Sequence, residues 1–555
     1  MKLIRLVCPV ILIFLYLNSF SQITYLPEGS KEYQLMERLE IKQGKFNNLI
    51  YSSVKPFSRK AVVKETEYAD SLAQTGGVSL SKVDRYNLQS ALMDNSEWVT
   101  SADTAAFRSK HPLWNTFFKT PPNFFEVNQK DFFLVVNPVI YFQAGGGNDG
   151  TKNLFYNRRG ITLRGRIANK IGFSSSIADN QERGPQFFKD YVTSHRAVPG
   201  VGFYKPFKKT AYDYFDGRGY FTFGVTKYIE VQFGYDKNFI GDGYRSLFLD
   251  DFGNSYLFLK LNTKIWKLDY QNLFMELMPQ FVRNGDHLLD RKYAAMHHLS
   301  VNVTNWLNLG LFESVVFSRR NHFDFEYLNP IIFLRHIEGA LGSPDKAKAG
   351  LDFKANTLKS LQFYGQFLLD EFLVNEIFKN NGFWANKYAY QLGVKYIDAF
   401  TLKNLDLQFE SNRIRPFTYT HADSLTDYTH YNLPLAHPLG ANLQEFIGRA
   451  RYQPIPKLNF DARIIYYYQG KDTLNENFGS NIFESYSNRS RDYGYFVGGG
   501  RRIDVVNAAA TIGYELKDNL FLEGNILFRK ETGTAPVTFF NLGFRWNAQR
   551  RDYNY

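Results

Sequence analysis

Between Phe417 and Asn442 the chain reads FTYTHADSLTDYTHYNLPLAHPLGAN, the best candidate binding stretch in the sequence. Arg413 and Arg415 stand just before it, and a guanidinium pairs with carboxylate or phosphate through parallel hydrogen bonds. Tyr419, Tyr428 and Tyr431 offer flat apolar faces edged by a hydroxyl, which suits sugar rings. His421, His430 and His437 add hydrogen-bonding groups. Together these side chains form the expected glycan-contacting set. The same residues support an opposite expectation: folded into a lumen they would satisfy one another as a plug, because buried polar groups find partners.

Other chemistry has less support. The three histidines match no tight ligand spacing such as two histidines on one helical face, so no metal is expected. Asp242, Asp250 and Asp251 lack the EF-hand order and read more simply as a solvated acidic loop than as a Ca2+ site. Gly145 to Gly147 and Gly498 to Gly500 lack the strand-to-helix context and the lysine of a phosphate loop, and read as turns. No G-x-S-x-G elbow or H-E-x-x-H helix occurs, and the adjacent His297 and His298 would point to opposite faces of a strand. The expectation is a protein without catalytic residues or cofactors; His298 with distant acids is the enzyme alternative. Arg164 and Arg166 project to the side of Thr162 and would line a lumen if Leu163 faces lipid. There they would either pair with inward acids such as Asp406 and Glu410 or line a path for an acidic polymer.

Strands must position these groups. Tyr390, Leu392, Val394 and Tyr396 alternate with Gln391, Gly393 and Lys395, a polar turn follows near Lys403, and Leu405, Leu407 and Phe409 then alternate with Asp406, Gln408 and Glu410. Period two means strands with one greasy face. The same alternation marks Ile161 to Ile167, Leu257 to Leu261, Leu520 to Arg529 and Phe540 to Trp546. Short turns join these runs at Asn169-Lys170, Thr226-Lys227, Asn262-Thr263-Lys264, Thr304-Asn305, Thr357-Leu358-Lys359, Thr401 to Asn404, Ile455-Pro456-Lys457 and Lys517-Asp518-Asn519, and long connections separate the hairpins. A barrel with both termini on the inner side has one more outer loop than inner turns, so about eight turns and nine loops imply about 18 strands. A soluble sandwich would have to bury both faces and shelter its edges.

The aromatic content of 17% beside a mean hydropathy of −0.35 fits lipid-facing strands with interfacial girdles. Lys2 and Arg5 precede an apolar run from Leu6 to Leu17, with small residues before Gln22, so residues 1–21 read as a signal peptide. Its removal would lower the net charge from +12 to +10, take away Cys8, and so exclude disulfides and thiol chemistry. Export argues against nucleic acid, and a basic surplus suits lipid headgroups, acidic polymers or plain solvation. From residue 22 to 130 a periplasmic, mainly helical segment is expected, with helical spacing over Ser30 to Lys42 and Ser81 to Glu97 and an N-cap at Ser81. Residues 131–555 would form the barrel with long extracellular loops.

Several spaced motifs carry a resemblance. Asn238-Phe239-Ile240-Gly241-Asp242-Gly243-Tyr244-Arg245-Ser246-Leu247, Glu326 to Ile331, Gly342 to Asp345 and the Tyr419 to Asn442 loop resemble the Wzi capsule-assembly family of outer-membrane proteins. Within it the chain looks most like the Bacteroidota branch labelled gliding motility protein RemB. The resemblance implies an 18-stranded barrel preceded by periplasmic helices, in agreement with the strand count. It implies a lectin-like role in attaching surface polysaccharide for the family, and a part in gliding or surface organisation for that branch. The expected partners are outer-membrane lipid, a surface polysaccharide and proteins of a gliding or secretion machinery. A channel or transport barrel, or a structural subunit of a secretion or motility complex, is the alternative.

Overall fold

The structure is a computed structural model that describes residues 23–100, 107–168, 170–282, 288–319, 322–331, 334–342, 345–377 and 379–555. The signal peptide expected over residues 1–21 lies outside the described residues.

Eighteen antiparallel strands close into a barrel. The first six are β1 Phe132–Gly147, β2 Leu154–Ile167, β3 Ile171–Arg183, β4 Ala211–Gly224, β5 Ile229–Asp236 and β6 Tyr256–Ile265. The next six are β7 Leu268–Leu277, β8 Lys292–Asn302, β9 Leu307–Phe317, β10 Lys346–Thr357, β11 Leu361–Glu371 and β12 Lys387–Tyr396. The last six are β13 Leu405–Ile414, β14 Leu443–Ile455, β15 Leu458–Lys471, β16 Arg501–Lys517, β17 Leu520–Glu531 and β18 Val537–Trp546. Each pairs with its sequence neighbour, and β18 closes on β1 with Phe539 opposite Gly147 and Trp546 opposite Ile140. A short strand at Phe125–Gln129 pairs with the start of β1, ahead of residue 131.

Alternation divides the wall as expected. Outward side chains such as Leu351 (54% exposed) and Leu542 (56%) form an apolar outer surface, whereas Gln391, Glu410 and Asn507 face inward and are buried. His297 and His298 do diverge: His298 points inward to Asp352 at 2.9 Å and His297 pairs with Glu313 at 2.8 Å on the other face. One expected turn is displaced. The chain does not reverse at Asn262-Thr263-Lys264; Thr263 and Ile265 continue the ladder opposite Tyr270 and Leu268, and Trp266, at φ 55°, takes the turn with Lys267.

The end of the barrel with the short turns is filled by the N-terminal segment. Helix α1, Glu32–Gln43, buries Leu35, Met36 and Leu39 on one face and stops at Gly44, whose left-handed φ of 65° lets its N–H reach the Ile41 carbonyl. Helix α2, Arg59–Gln74, starts at Ser58, whose hydroxyl accepts from the Ala61 N–H. Helix α3, Lys82–Asp94, opens on the capping box formed by Ser81 and Asp84. The helices pack on one another through Leu35, Met36, Leu39, Phe57, Val62, Ala69 and Ala91. Their polar faces meet the inward faces of strands all round the barrel. Lys31 pairs with Glu515 at 2.8 Å, Glu37 with Lys395 at 3.1 Å and Arg451 at 3.0 Å, and Glu40 with Lys354 at 3.2 Å.

Arg38 is the most connected of these groups. It is 3% exposed and holds Asp84 and Asp398, each at 2.9 Å, and Asp406 of β13. Arg38→Ala leaves the buried Asp406 without its cation, whereas Asp84 and Asp398 keep Lys42, and breaking a buried pair costs about 3–5 kcal/mol. Limited proteolysis of residues 23–100 in rising urea should show the segment released at a lower midpoint while the wall stays folded. An unchanged midpoint would mean that Arg38 does not seat the helices.

Candidate functional site

The opposite end carries the long connections, and two of them fold inward. Residues 237–255 descend through the lumen until Phe239 and Ile240 pair with Lys55 and Val54 of the N-terminal segment. Wall groups hold this descent: Glu410 accepts from the Tyr244 and Arg245 N–H groups, Gln366 accepts from the Leu247 N–H at 2.8 Å, and Gln391 donates to the Arg245 carbonyl at 2.9 Å. A side chain at Gly243 would place its Cβ 2.6 Å from the Glu410 carboxylate, so only glycine fits this approach. Asp242 is engaged by Ser52 at 3.3 Å and Lys354 at 3.2 Å.

Residues 415–442 pack on that descending loop. Tyr419 donates to the Leu247 carbonyl at 3.0 Å and Tyr428 to the Phe248 carbonyl at 2.7 Å, with the two rings stacked 5.7 Å apart and both fully buried. His437 pairs with Glu445 at 2.8 Å and is buried. The His430 Nε2–H donates to the Ser255 carbonyl at 3.0 Å, and its Nδ1 accepts from the Met278 N–H at 3.1 Å, so one neutral imidazole ties three loops together. His421 meets the Thr426 hydroxyl at 2.6 Å. Tyr431, half-buried, sits 5.0 Å from the Phe281 ring. Arg415 donates to the carbonyls of Asn386, Phe383 and Tyr495, which ties loops 372–386 and 472–500 together. Arg413 turns to the opposite face from the buried Asn412 and reaches Gln444 at 3.3 Å.

The set expected to face a ligand is thus split. Tyr419, Tyr428, His430 and His437 belong to a column inside the barrel, and the physical reason is the loop's own Leu433, Leu435 and Ala436, which are buried with them. The arginines expected to pair with Asp406 and Glu410 do otherwise. Arg164 binds Glu97 and the Asp94 carbonyl, Arg166 lies 5.7 Å from the Trp98 ring, Asp406 goes to Arg38, and Glu410 holds backbone N–H groups. A further segment completes the column: Arg551 clamps Glu182 at 2.9 and 3.0 Å, Arg550 pairs with Glu523 at 2.8 Å, and the Tyr555 ring packs at a tilt 4.7 Å from Tyr191.

Above the column, loops 372–386 and 472–500 present a surface that the sequence reading passed over. Trp384 and Tyr486 lie 4.7 Å apart, with the Arg489 guanidinium 3.8 Å over the indole and Lys387 Nζ 3.7 Å over the phenol. Tyr493, 49% exposed, packs beside Phe383 at 5.4 Å, and Arg491 and Asp492 stand next to it in the open. The signal was the run Tyr486 to Phe496, YSNRSRDYGYF, which has aromatics, arginines and small polar residues but no aliphatic side chain to bury.

A sequence profile of the capsule assembly protein Wzi family matches residues 217–524. The chain belongs to this family. It is an outer-membrane β-barrel, and the Wzi-family match spans both the descending loop and the cap. The solved structure of Wzi, an outer membrane protein involved in group 1 capsule assembly in Escherichia coli and described as a carbohydrate-binding β-barrel, superposes with a TM-score of 0.57 at 12% identity. The alignment covers 96% of this chain and 100% of that one, which shows a shared fold. Pseudomonas aeruginosa OccK8 (OprE) matches at a TM-score of 0.43 and 8% identity over 75% of this chain and 98% of its own. Pseudomonas aeruginosa OprD matches at 0.41 and 12% over 74% and 94%. No curated protein sequence matches the chain.

Two histidines of the 415–442 loop in this Wzi-family barrel resist protonation. Burial pushes the His430 imidazole down to about 4, and burial with Lys346, Lys348 and Lys387 nearby pushes His421 down to about 4. Both lie below the ordinary value near 6.5, so their neutral forms stabilise the loop above that pH, and this stabilisation is lost as pH falls towards 4. Protonation would also turn the His430 Nδ1 from acceptor to donor against the Met278 N–H. Hydrogen exchange across residues 415–442, corrected for intrinsic rates, should show protection falling between pH 6.5 and 4 by roughly 2–3 kcal/mol for each histidine. Flat protection over that range would contradict the assignment.

Proposed function

We propose that this Wzi-family barrel retains a surface polysaccharide on the cap formed by Trp384, Tyr486, Arg489, Arg491 and Tyr493, with the loop end facing the cell exterior and residues 22–130 on the periplasmic side. One observation carries the reading: exposed Tyr493 and Arg491 and half-buried Trp384, Tyr486 and Arg489 gather on top of a filled lumen, so a ligand meets the cap and not a pore. Aromatic faces stack on the C–H faces of sugar rings, and guanidinium groups at the edge pair with uronate or other acidic substituents. Asn and Ser side chains in the same loop supply adaptable hydrogen bonds. The residues expected from sequence serve this reading as support: Arg415 fixes the two cap loops, and Tyr419, Tyr428, His430 and His437 form the base beneath them. Family membership in capsule assembly, and the description of the Escherichia coli relative as carbohydrate-binding, agree with it. The filled lumen speaks against the channel alternative.

The test is binding of the folded barrel to polysaccharide extracted from the surface of the cells that make it. Tyr486→Ala, Arg489→Ala and Tyr493→Ala combined should weaken saturable binding about tenfold or more, given about 0.5–1.5 kcal/mol for each aromatic contact. The buried Tyr428→Phe should leave it unchanged. Equal binding by the cap variant would sink the proposed site, and capture of a gliding or secretion protein with no glycan affinity would assign the barrel to the surface organisation implied by the RemB-like branch.

A further inference from the structure

Two outward arginines near the loop end of the wall are paired, Arg159 with Asp179 at 3.5 Å and Arg502 with Asp504 at 2.9 Å. One sector gathers several cations without such partners. Residues Lys205–Phe207 form a short strand that extends the wall along the upper part of β4, with Lys205 opposite Asp213 and Phe207 opposite Ala211. On β4 the inward Tyr214 is buried while Phe215 is 60% exposed, so Asp213 and its partner Lys205 share the outer face with Phe215. The hairpin turns at Lys208 and Lys209, whose φ values are 44° and 58°, and Arg196 is exposed beside the same loop. Tyr204 anchors the hairpin by packing 5.0 Å from Tyr212.

Arg196, Lys205, Lys208 and Lys209 are all exposed, and among the described residues none of them forms an ion pair. The acids of this sector bond to amides, Asp213, opposite Lys205 on the ladder, to Gln181 at 3.1 Å and Asp190 to Gln186 at 2.8 Å. Four exposed cations therefore gather at the loop end of the wall, in the sector where Lys205 shares the outer face with exposed Phe215. We propose that this hairpin is a docking site for the phosphorylated headgroup of a glycolipid in the surrounding outer leaflet. The lipid is favoured over the capsular polymer because Lys205 and Phe215 face sideways off the wall, towards the membrane and away from the cap. Cationic side chains at a membrane surface each gain from an anionic headgroup, and Phe207, with Lys208 Nζ 5.1 Å from its ring, adds an apolar contact at the same level.

Native mass spectrometry of the full chain in detergent, titrated with bis-phosphorylated lipid A and with the same lipid after removal of its phosphates, tests this. The phosphorylated form should bind the wild type saturably, and the combined variant Lys205→Gln, Lys208→Gln, Lys209→Gln should bind it about a hundredfold more weakly, at about fivefold for each lysine. The dephosphorylated lipid should not distinguish the two proteins. Heat-modifiable migration in gels would confirm that the variant is folded. Equal binding of both lipids, or no effect of the variant, would overturn the proposal. Displacement by millimolar inorganic phosphate alone, or by soluble acidic polysaccharide in preference to the lipid, would also overturn the assignment to a membrane lipid.

Discussion

An eighteen-stranded barrel encloses a space too wide for its own side chains to fill, and period-two alternation points one side chain in two into that space. Here the inward set is polar and charged, and it is buried. Every such group needs a partner, and the wall alone does not supply them. Four stretches of chain do: residues 23–100 from the turn end, 237–255 and 415–442 from the loop end, and 547–555 after the last strand. The rest of the structure follows from this filling.

The interactions between wall and column are of two kinds, ion pairs at both ends and an apolar core nearer the loop end. At the turn end they are ion pairs between the helices and inward strand residues, such as Arg38 with Asp406 and Glu37 with Lys395. Nearer the loop end an apolar core joins pairs such as Arg551 with Glu182, with Phe248 stacked 4.4 Å from Phe312 of β9 and flanked by Leu247, Leu249, Tyr419 and Tyr428. The cap loops thus rest on a packed base rather than on a water-filled vestibule. A binding surface built on loops gains precision when its support is fixed in this way.

Much of the wall was legible in the sequence because its two faces meet different surroundings and the chain records that difference at every second residue. Tyr390 to Tyr396 and Leu405 to Glu410 show it most plainly, and the unequal lengths of turns and loops supplied the strand number. The slip at Asn262 to Lys264 arose because polar residues continue inside a strand when they face inward. The site was harder to read, since Tyr428 and Tyr493 are chemically alike and only the path of their loops separates a buried ring from an exposed one. The aliphatic residues of Leu433 to Leu439 were a sign that their loop would be buried, and their absence from Tyr486 to Phe496 was a sign of exposure. The helix Arg59–Gln74, lying between the two segments with clear helical spacing, was not singled out by its pattern.

Conductance in a planar bilayer probes the filled lumen most directly. The full-length folded barrel at neutral pH should show no steady open-channel current, because the column of helices, descending loops and final residues blocks the path. A stable, ion-conducting state in the unmodified protein would contradict the account and return the barrel to the transport class.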